Sequence, residues 1–365
     1  MNTNVQTTPK QETQASPQLR MVAGLALVLT LGLVAWLITR QIYLLKLPGG
    51  IPGKALEYPL WAALVGIMGN LVLKLTHTHE FFRPGIRTEL FLKTGLVLMG
   101  AGINLSLLAP AAGGASVQAI IMITSVFFFT YWLAGRMGLD DKLRAVMATA
   151  LSVCGVSAAI AAAGSVLAKK EQVTYVTTIV ILVALPLMIL APLAAGAMHL
   201  PQSVAGAWFG GNIDTTAAVV GAGTLYGEQA QKIATIVKTT QNALIGVVAF
   251  LLAVAYASRQ ENGQKVRPSV RVIWDRFPKF VLGFVITSVL FSIGWISKDA
   301  SKTIDALMRW LFTFAFVCMG LELSVSEFKK MGWRPVIVFL TATVVNTLLA
   351  LLVSWIIFSF LFPLQ

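Results

Sequence analysis

Charge, cysteine and histidine are all scarce in these 365 residues, and each scarcity closes off a class of function. Asp, Glu, Lys and Arg together make up 12% of the chain, 57% is hydrophobic, and mean hydropathy is +0.79. A water-soluble domain of this length needs a far more charged surface, so the chain belongs in a bilayer. The two cysteines, Cys154 and Cys318, lie in separate apolar segments, and nothing in their spacing suggests a disulfide or a metal site. His77 and His79 share a polar THTHE loop and His199 stands alone. Neither a zinc site nor a Ser/His/Asp arrangement has support, so no enzyme activity, metal or cofactor is expected.

What is abundant is apolar sequence in long runs. Segments close to or above the ~20 residues that cross a bilayer occur at 21–43, 57–76, 91–108, 117–135, 173–197, 233–257, 279–297, 303–321 and 335–362. Two further segments, 143–168 and 203–225, are apolar but built from Gly, Ala and Ser. The expectation is an all-α polytopic membrane protein with nine spanning helices and two re-entrant or broken segments. Residues 1–20 read as a disordered tail, 21–197 as a first membrane half and 198–365 as a second, each half holding one small-residue segment. The run after Arg20 is too long for a signal-peptide core and no small-x-small site follows, so it reads as a first transmembrane helix.

Basic residues exceed acidic ones by 28 to 15. With an inside N-terminus, twenty of the 28 fall on inner loops, including Lys74, Arg83, Arg87, Arg136, Lys142, Arg144, Lys169, Lys170, Arg267 and Lys330. Outside stand Arg40, Lys46, Lys54, Lys232, Lys298 and Lys302. The positive-inside rule accounts for the excess without a nucleic acid partner, and agrees with a cytoplasmic N-terminus.

Internal repeats add a topological constraint. SAAIAAAGSVL, from Ser157, lines up with TAAVVGAGTLY, from Thr216, and GINLS, from Gly102, matches GLELS, from Gly320. One true span, 173–197, separates the two small-residue segments, so they are inverted relative to each other only if both are hairpins. Inverted repeats with broken helices are the recurrent architecture of secondary transporters.

Inside the apolar run 233–257 stand Lys238, Thr239, Thr240, Gln241 and Asn242. Thr235, Lys238, Thr239 and Asn242 recur at three- and four-residue spacing and make a polar stripe on one helix face, with Gln241 beside it. Lys238 either snorkels to the near interface or faces a hairpin or wet cavity. Ser152, Cys154, Gly155 and Ser157 precede one small-residue helix; Asn212, Asp214, Thr215 and Thr216 precede the other. Such residues cap helix starts, and a pair of buried helix starts also aims N–H groups and positive dipole ends at an anion. Asp214 then either neutralises Lys238, carries a proton or helps bind a coupling cation. Asn104 and Glu322 hold matching positions in the GxxLS segments, Glu322 near the inner end of its span, as a solvated carboxylate or a second charge partner.

The order from Met99-Gly100 and GINLS, through SVCGVSAAIAAAGSVL, to GGNIDTTAAVVGAG and IVKTTQNALIG resembles the YeiH-type family of bacterial inner-membrane proteins, to which sulfate export is ascribed. More loosely it is similar to bile-acid/sodium symporters and sodium/proton antiporters. The resemblance implies a secondary transporter that exports a small inorganic or sulfur-containing anion by alternating access. Its substrate site would draw on Lys238, Ser157, Cys154, Gly155, Asn212, Thr215, Thr216, Asn242 and Gln241, with Asp214, Asn104 and Glu322 as coupling-ion or charge partners. Sodium or proton coupling and a homodimer are compatible with it. The sequence departs from the family pattern where Asp214-Thr215-Thr216-Ala217-Ala218 replaces His-Glu-x-Ala-Gln, and where Gln241 and Gly246 replace a common arginine and proline. One cationic group fewer weakens the case for a divalent anion. Cation or proton antiport through Asp214, or a membrane-embedded binding protein without transport, are the other readings.

Overall fold

A computed structural model describes residues 16–44, 58–256, 270–276, 279–322 and 332–363. Most of the expected tail, residues 1–15, lies outside them, as do the inner-loop residues 257–269 and 323–331. The first helix, α1 (Pro17–Tyr43), begins before Arg20, within the stretch read as tail. Ser16 Oγ accepts from the Leu19 N–H and Pro17 occupies the first turn, so the local start signal prevails over the polar composition.

Helices α2 (Tyr58–Leu75), α3 (Thr88–Met99), α4 (Leu105–Arg136), α5 (Asp141–Ser152), α6 (Val156–Val166) and α7 (Lys170–Ala197) follow. Then come α8 (Gln202–Asn212), α9 (Thr216–Tyr226), α10 (Glu228–Ala243), α11 (Ile245–Tyr256), α12 (Phe280–Ser292), α13 (Lys298–Leu321) and α14 (Arg334–Ile356). Among the described residues seven helical stretches are long and apolar enough to cross a bilayer, the pair α10–α11 counting as one. The expected spans 91–108 and 279–297 are instead the short helices α3 and α12. Gly100–Gly102 turns off the first in a 3-10 turn, Ile103 is extended, and Asn104 caps α4 with its side chain.

The segments 143–168 and 203–225 are hairpins, not spanning rods. At the base of the first, Gln172 Nε2 donates to Asp140 Oδ1 (2.8 Å), which joins its start to its end. At the base of the second, the Tyr226 hydroxyl donates to the Leu200 carbonyl (2.5 Å), and Gln202 Oε1 accepts from the N–H groups of Gln229 and Ala230 (3.1 and 3.2 Å). Gly206 of α8 lies against the Ala230 backbone and Gly223 of α9 against that of Gln231, where any Cβ would collide, so the two arms run antiparallel. Helix α7, 28 residues and ~40 Å long, separates the two bases. The hairpins therefore enter from opposite faces, as the inverted repeat requires.

Two bundles result. Helices α1, α2, α3, α12 and α13 pack mainly on one another; α4 through α11 and α14 form the other bundle around the hairpins. Between them contacts are few, chiefly α9 against α2 and α13, where Gly221 lies beside the Phe316 ring. Apolar side chains such as Leu190, Leu193, Leu251 and Leu348 stay exposed on the periphery, as a lipid-facing surface demands.

The topology has a direct check. With Cys154 and Cys318 replaced by alanine, single cysteines at Met198 and Glu228 are expected to react with an impermeant maleimide from one membrane face, and those at Arg136 and Glu171 from the other. A split within either pair would contradict the hairpins.

Candidate functional site

A helix that stops inside a membrane leaves its last carbonyls without partners. At the tip of the first hairpin α5 stops at Ser152, and two side chains of α10 meet that need. Lys238 Nζ donates to the Val153 carbonyl (2.7 Å) and to Gln241 Oε1 (2.9 Å), while Gln241 Nε2 donates to the Ser152 carbonyl (2.8 Å). An ammonium also suits the negative end of the α5 dipole. Lys238 is 1% exposed and does not snorkel.

The second tip is held from two sides. Asn346 Nδ2 donates to the Asn212 carbonyl and the Thr347 hydroxyl to Asn212 Oδ1, each at 2.8 Å, which fixes the end of α8 against α14. Thr215 Oγ1 accepts from the Ala218 N–H (3.3 Å) and caps α9, and Asn242 Nδ2 donates to Thr216 Oγ1 (3.0 Å). The tips lie side by side: a Cβ added at Gly155, whose φ is +66°, would stand 3.3 Å from the Asp214 carbonyl oxygen and collide with Val180 of α7. One face of α10 thus carries both tips, Lys238 and Gln241 for the first and Asn242 for the second.

A cavity of about 460 Å³ reaches these tips from the face that holds the base of the first hairpin. Cys154, Ser157, Thr216 and Asn242 line its inner end, and Glu89, Lys93, Asp275 and Lys279 its walls. A recess of about 100 Å³ adds Thr88, Thr215 and Glu322. The structure thus gathers Cys154, Ser157, Thr215, Thr216, Asn242 and Glu322 around one space, and sets Lys238, Gln241, Asn212 and Gly155 behind it as anchors of the tips. Asn104 lines neither cavity; its side chain accepts from the Ser106 N–H at the start of α4 (3.1 Å).

Glu89 and Lys93 are the residues that sequence reasoning missed. Glu89 Oε1 accepts from the Ser157 hydroxyl (3.1 Å) and Oε2 from Lys93 Nζ (2.6 Å), so α3 reaches across to the other bundle. Their i,i+4 spacing inside TELFLKTG was the available signal.

From the opposite face a second cavity, about 270 Å³, is lined by Glu228, Gln231, Lys232, Ser301, Lys302, Asp305 and Arg309. Gln231 opens on this cavity and Asn242 on the first, and between them on α10 lie Thr235 and Lys238, buried. Thr235 Oγ1, Asn242 Oδ1 and both carboxylate oxygens of Asp214 are buried with no hydrogen-bond partner among the described residues. Two cavities on opposite faces are thus separated by buried polar side chains of α10.

A family profile described as "Conserved hypothetical protein 698" matches residues 23–339. The UPF0324 membrane protein of Rhodopirellula baltica is 37% identical over 324 residues, 84% of this chain and 59% of that protein. One from Nitratidesulfovibrio vulgaris is 35% identical over 320 residues, 83% of this chain and 55% of that protein. The chain therefore spans little more than half the length of these relatives, whereas it covers 91% of an Oceanobacillus iheyensis relative at 25% identity. No solved structure matches.

Replacing Lys238 by methionine would leave the Val153 carbonyl buried without its donor, at a cost of about 1–3 kcal/mol. Lys238→Met is expected to lower the unfolding midpoint of the detergent-solubilised protein by several degrees. An unchanged midpoint would mean that the ammonium does not hold the tip.

Proposed function

We propose that this chain, which belongs to the UPF0324 membrane protein family, is a secondary transporter that exports a small anion by alternating access. The observation that carries the reading is the pair of cavities on opposite faces, separated by hairpin tips that one helix holds together. A carrier needs a site that opens to one side at a time, and inverted hairpins supply two symmetry-related ways of closing. The sparse contact between the bundles leaves room for one to shift against the other.

Donors at the inner end of the larger cavity favour an anion. Ser157 and Thr216 bring hydroxyls, Lys93 on the wall an ammonium, and α6 and α9 begin there with their positive dipole ends. With the basic face cytoplasmic, as positive-inside counting has it, the larger cavity loads from the cytoplasm of a bacterial inner membrane and the smaller one releases outside. Sulfur oxyanions are the substrates to try first.

Asp214 supports a coupled variant of this reading. A carboxylate that is 1% exposed, with no hydrogen-bond donor among the described residues, is the candidate proton carrier of such a cycle. In that variant Asp214→Asn abolishes pH-driven flux and leaves anion binding intact.

Proteoliposomes test the function. Wild-type protein is expected to accumulate labelled sulfate or sulfite against its gradient when a pH or sodium gradient is imposed. Ser157→Ala is expected to cut the rate at least tenfold while moving the unfolding midpoint by no more than a few degrees. Downhill leakage alone would point to a channel, and binding without flux to a receptor.

A further inference from the structure

The hydrogen bonds of Glu89 trace the shape of a ligand. Its carboxylate lies on the wall of the larger cavity with one oxygen on the Ser157 hydroxyl (3.1 Å) and the other on the Lys93 ammonium (2.6 Å). Both partners are donors, and both line the wall of the same space as Thr216 and Asn242. Within α3 the Glu89–Lys93 pair is an ordinary i,i+4 contact, but a helix-surface ion pair needs no third partner from another bundle. The carboxylate nonetheless turns to a hydroxyl at the start of α6. Glu89 is half-exposed to the cavity, its side chain 55% accessible, so nothing in the packing locks it there.

We propose that the Glu89 carboxylate is a tethered stand-in for the transported anion: it occupies the position between Ser157 Oγ and Lys93 Nζ that a small oxyanion takes on loading, and swings aside when one arrives. The proposal rests on the transporter reading and deepens it by naming the substrate class, an oxyanion with two oxygens placed like those of a carboxylate. It also assigns Lys93 and Ser157 as direct ligands. In the empty protein the stand-in keeps the donors satisfied and ties α3 to the hairpin bundle. A bound anion releases that tie, so loading and bundle movement are linked through one contact.

The test uses purified full-length protein and reads thermal stabilisation by sodium sulfate, with sodium gluconate at matched ionic strength as the control. Removing the competitor is expected to tighten binding, so the half-saturating sulfate concentration falls at least tenfold in Glu89→Ala. Asp275→Asn removes a negative charge from the same cavity without touching Ser157 and is expected to change it by less than threefold. Acetate, a free carboxylate, is expected to compete with sulfate in Glu89→Ala and far less in the wild type. Adding Ser157→Ala to Glu89→Ala is expected to erase the gain. Unchanged or weaker sulfate binding in Glu89→Ala, or an equal gain in Asp275→Asn, would overturn the proposal. If the wild type still carries sulfate in proteoliposomes, the transporter reading survives that result. If neither wild type nor Glu89→Ala is stabilised by sulfate, the inference falls and the sulfur oxyanion assignment falls with it.

Discussion

The contact between the Lys238 ammonium and the Val153 carbonyl is what allows this chain to break a helix inside the membrane. In lipid there is no water to take over carbonyls that a helix leaves behind, so irregular backbone at that depth persists only where protein groups replace the missing partners. Lys238 and Gln241 do so at the end of α5. Without them the first tip would lose its support, and with it the glycine contact through which Gly155 meets the second tip at Asp214. The position of α6, and so of Ser157, follows from this first tip together with its packing on α5, α7 and α11.

Gln241 shows why the exchange for an arginine need not abolish the arrangement. Its amide accepts from Lys238 and donates to Ser152 at once. A guanidinium has donors only and could not accept from an ammonium. In this chain one positive charge holds the tip and a neutral amide relays it, which leaves the cavity's positive charge to Lys93 and Lys279 on the facing wall. The second tip needs no cation because Asn346 and Thr347 bind it from α14.

The hairpins were legible in the sequence because of a parity argument: one span lies between two segments that repeat, so inversion demands re-entry. The stripe on α10 was legible from the spacing of Thr235, Lys238 and Asn242. Two features were not. Hydropathy windows average over Gly100–Gly102 and so joined α3 to the start of α4 as one span, when a 3-10 turn and the Asn104 cap divide them. Glu89 received no role from the sequence, because its role lies in a partner, Ser157, that is 68 residues away and belongs to the other bundle. Likewise Asn212 looks the same in sequence whether it faces a ligand or α14; Thr347 and Asn346 decide the matter, and no local pattern announces them.

The central claim is that two tips from opposite faces meet beside Lys238, and a thiol cross-link tests it most directly. With Cys318 replaced by alanine, native Cys154 paired with Thr215→Cys places two thiols on one recess of about 100 Å³. A short bifunctional maleimide should join them in the membrane, so that cleavage between residues 154 and 215, in a site engineered after Met198, leaves the fragments connected. Complete separation of the fragments in folded protein, with both thiols shown to be reactive, would contradict the meeting of the tips.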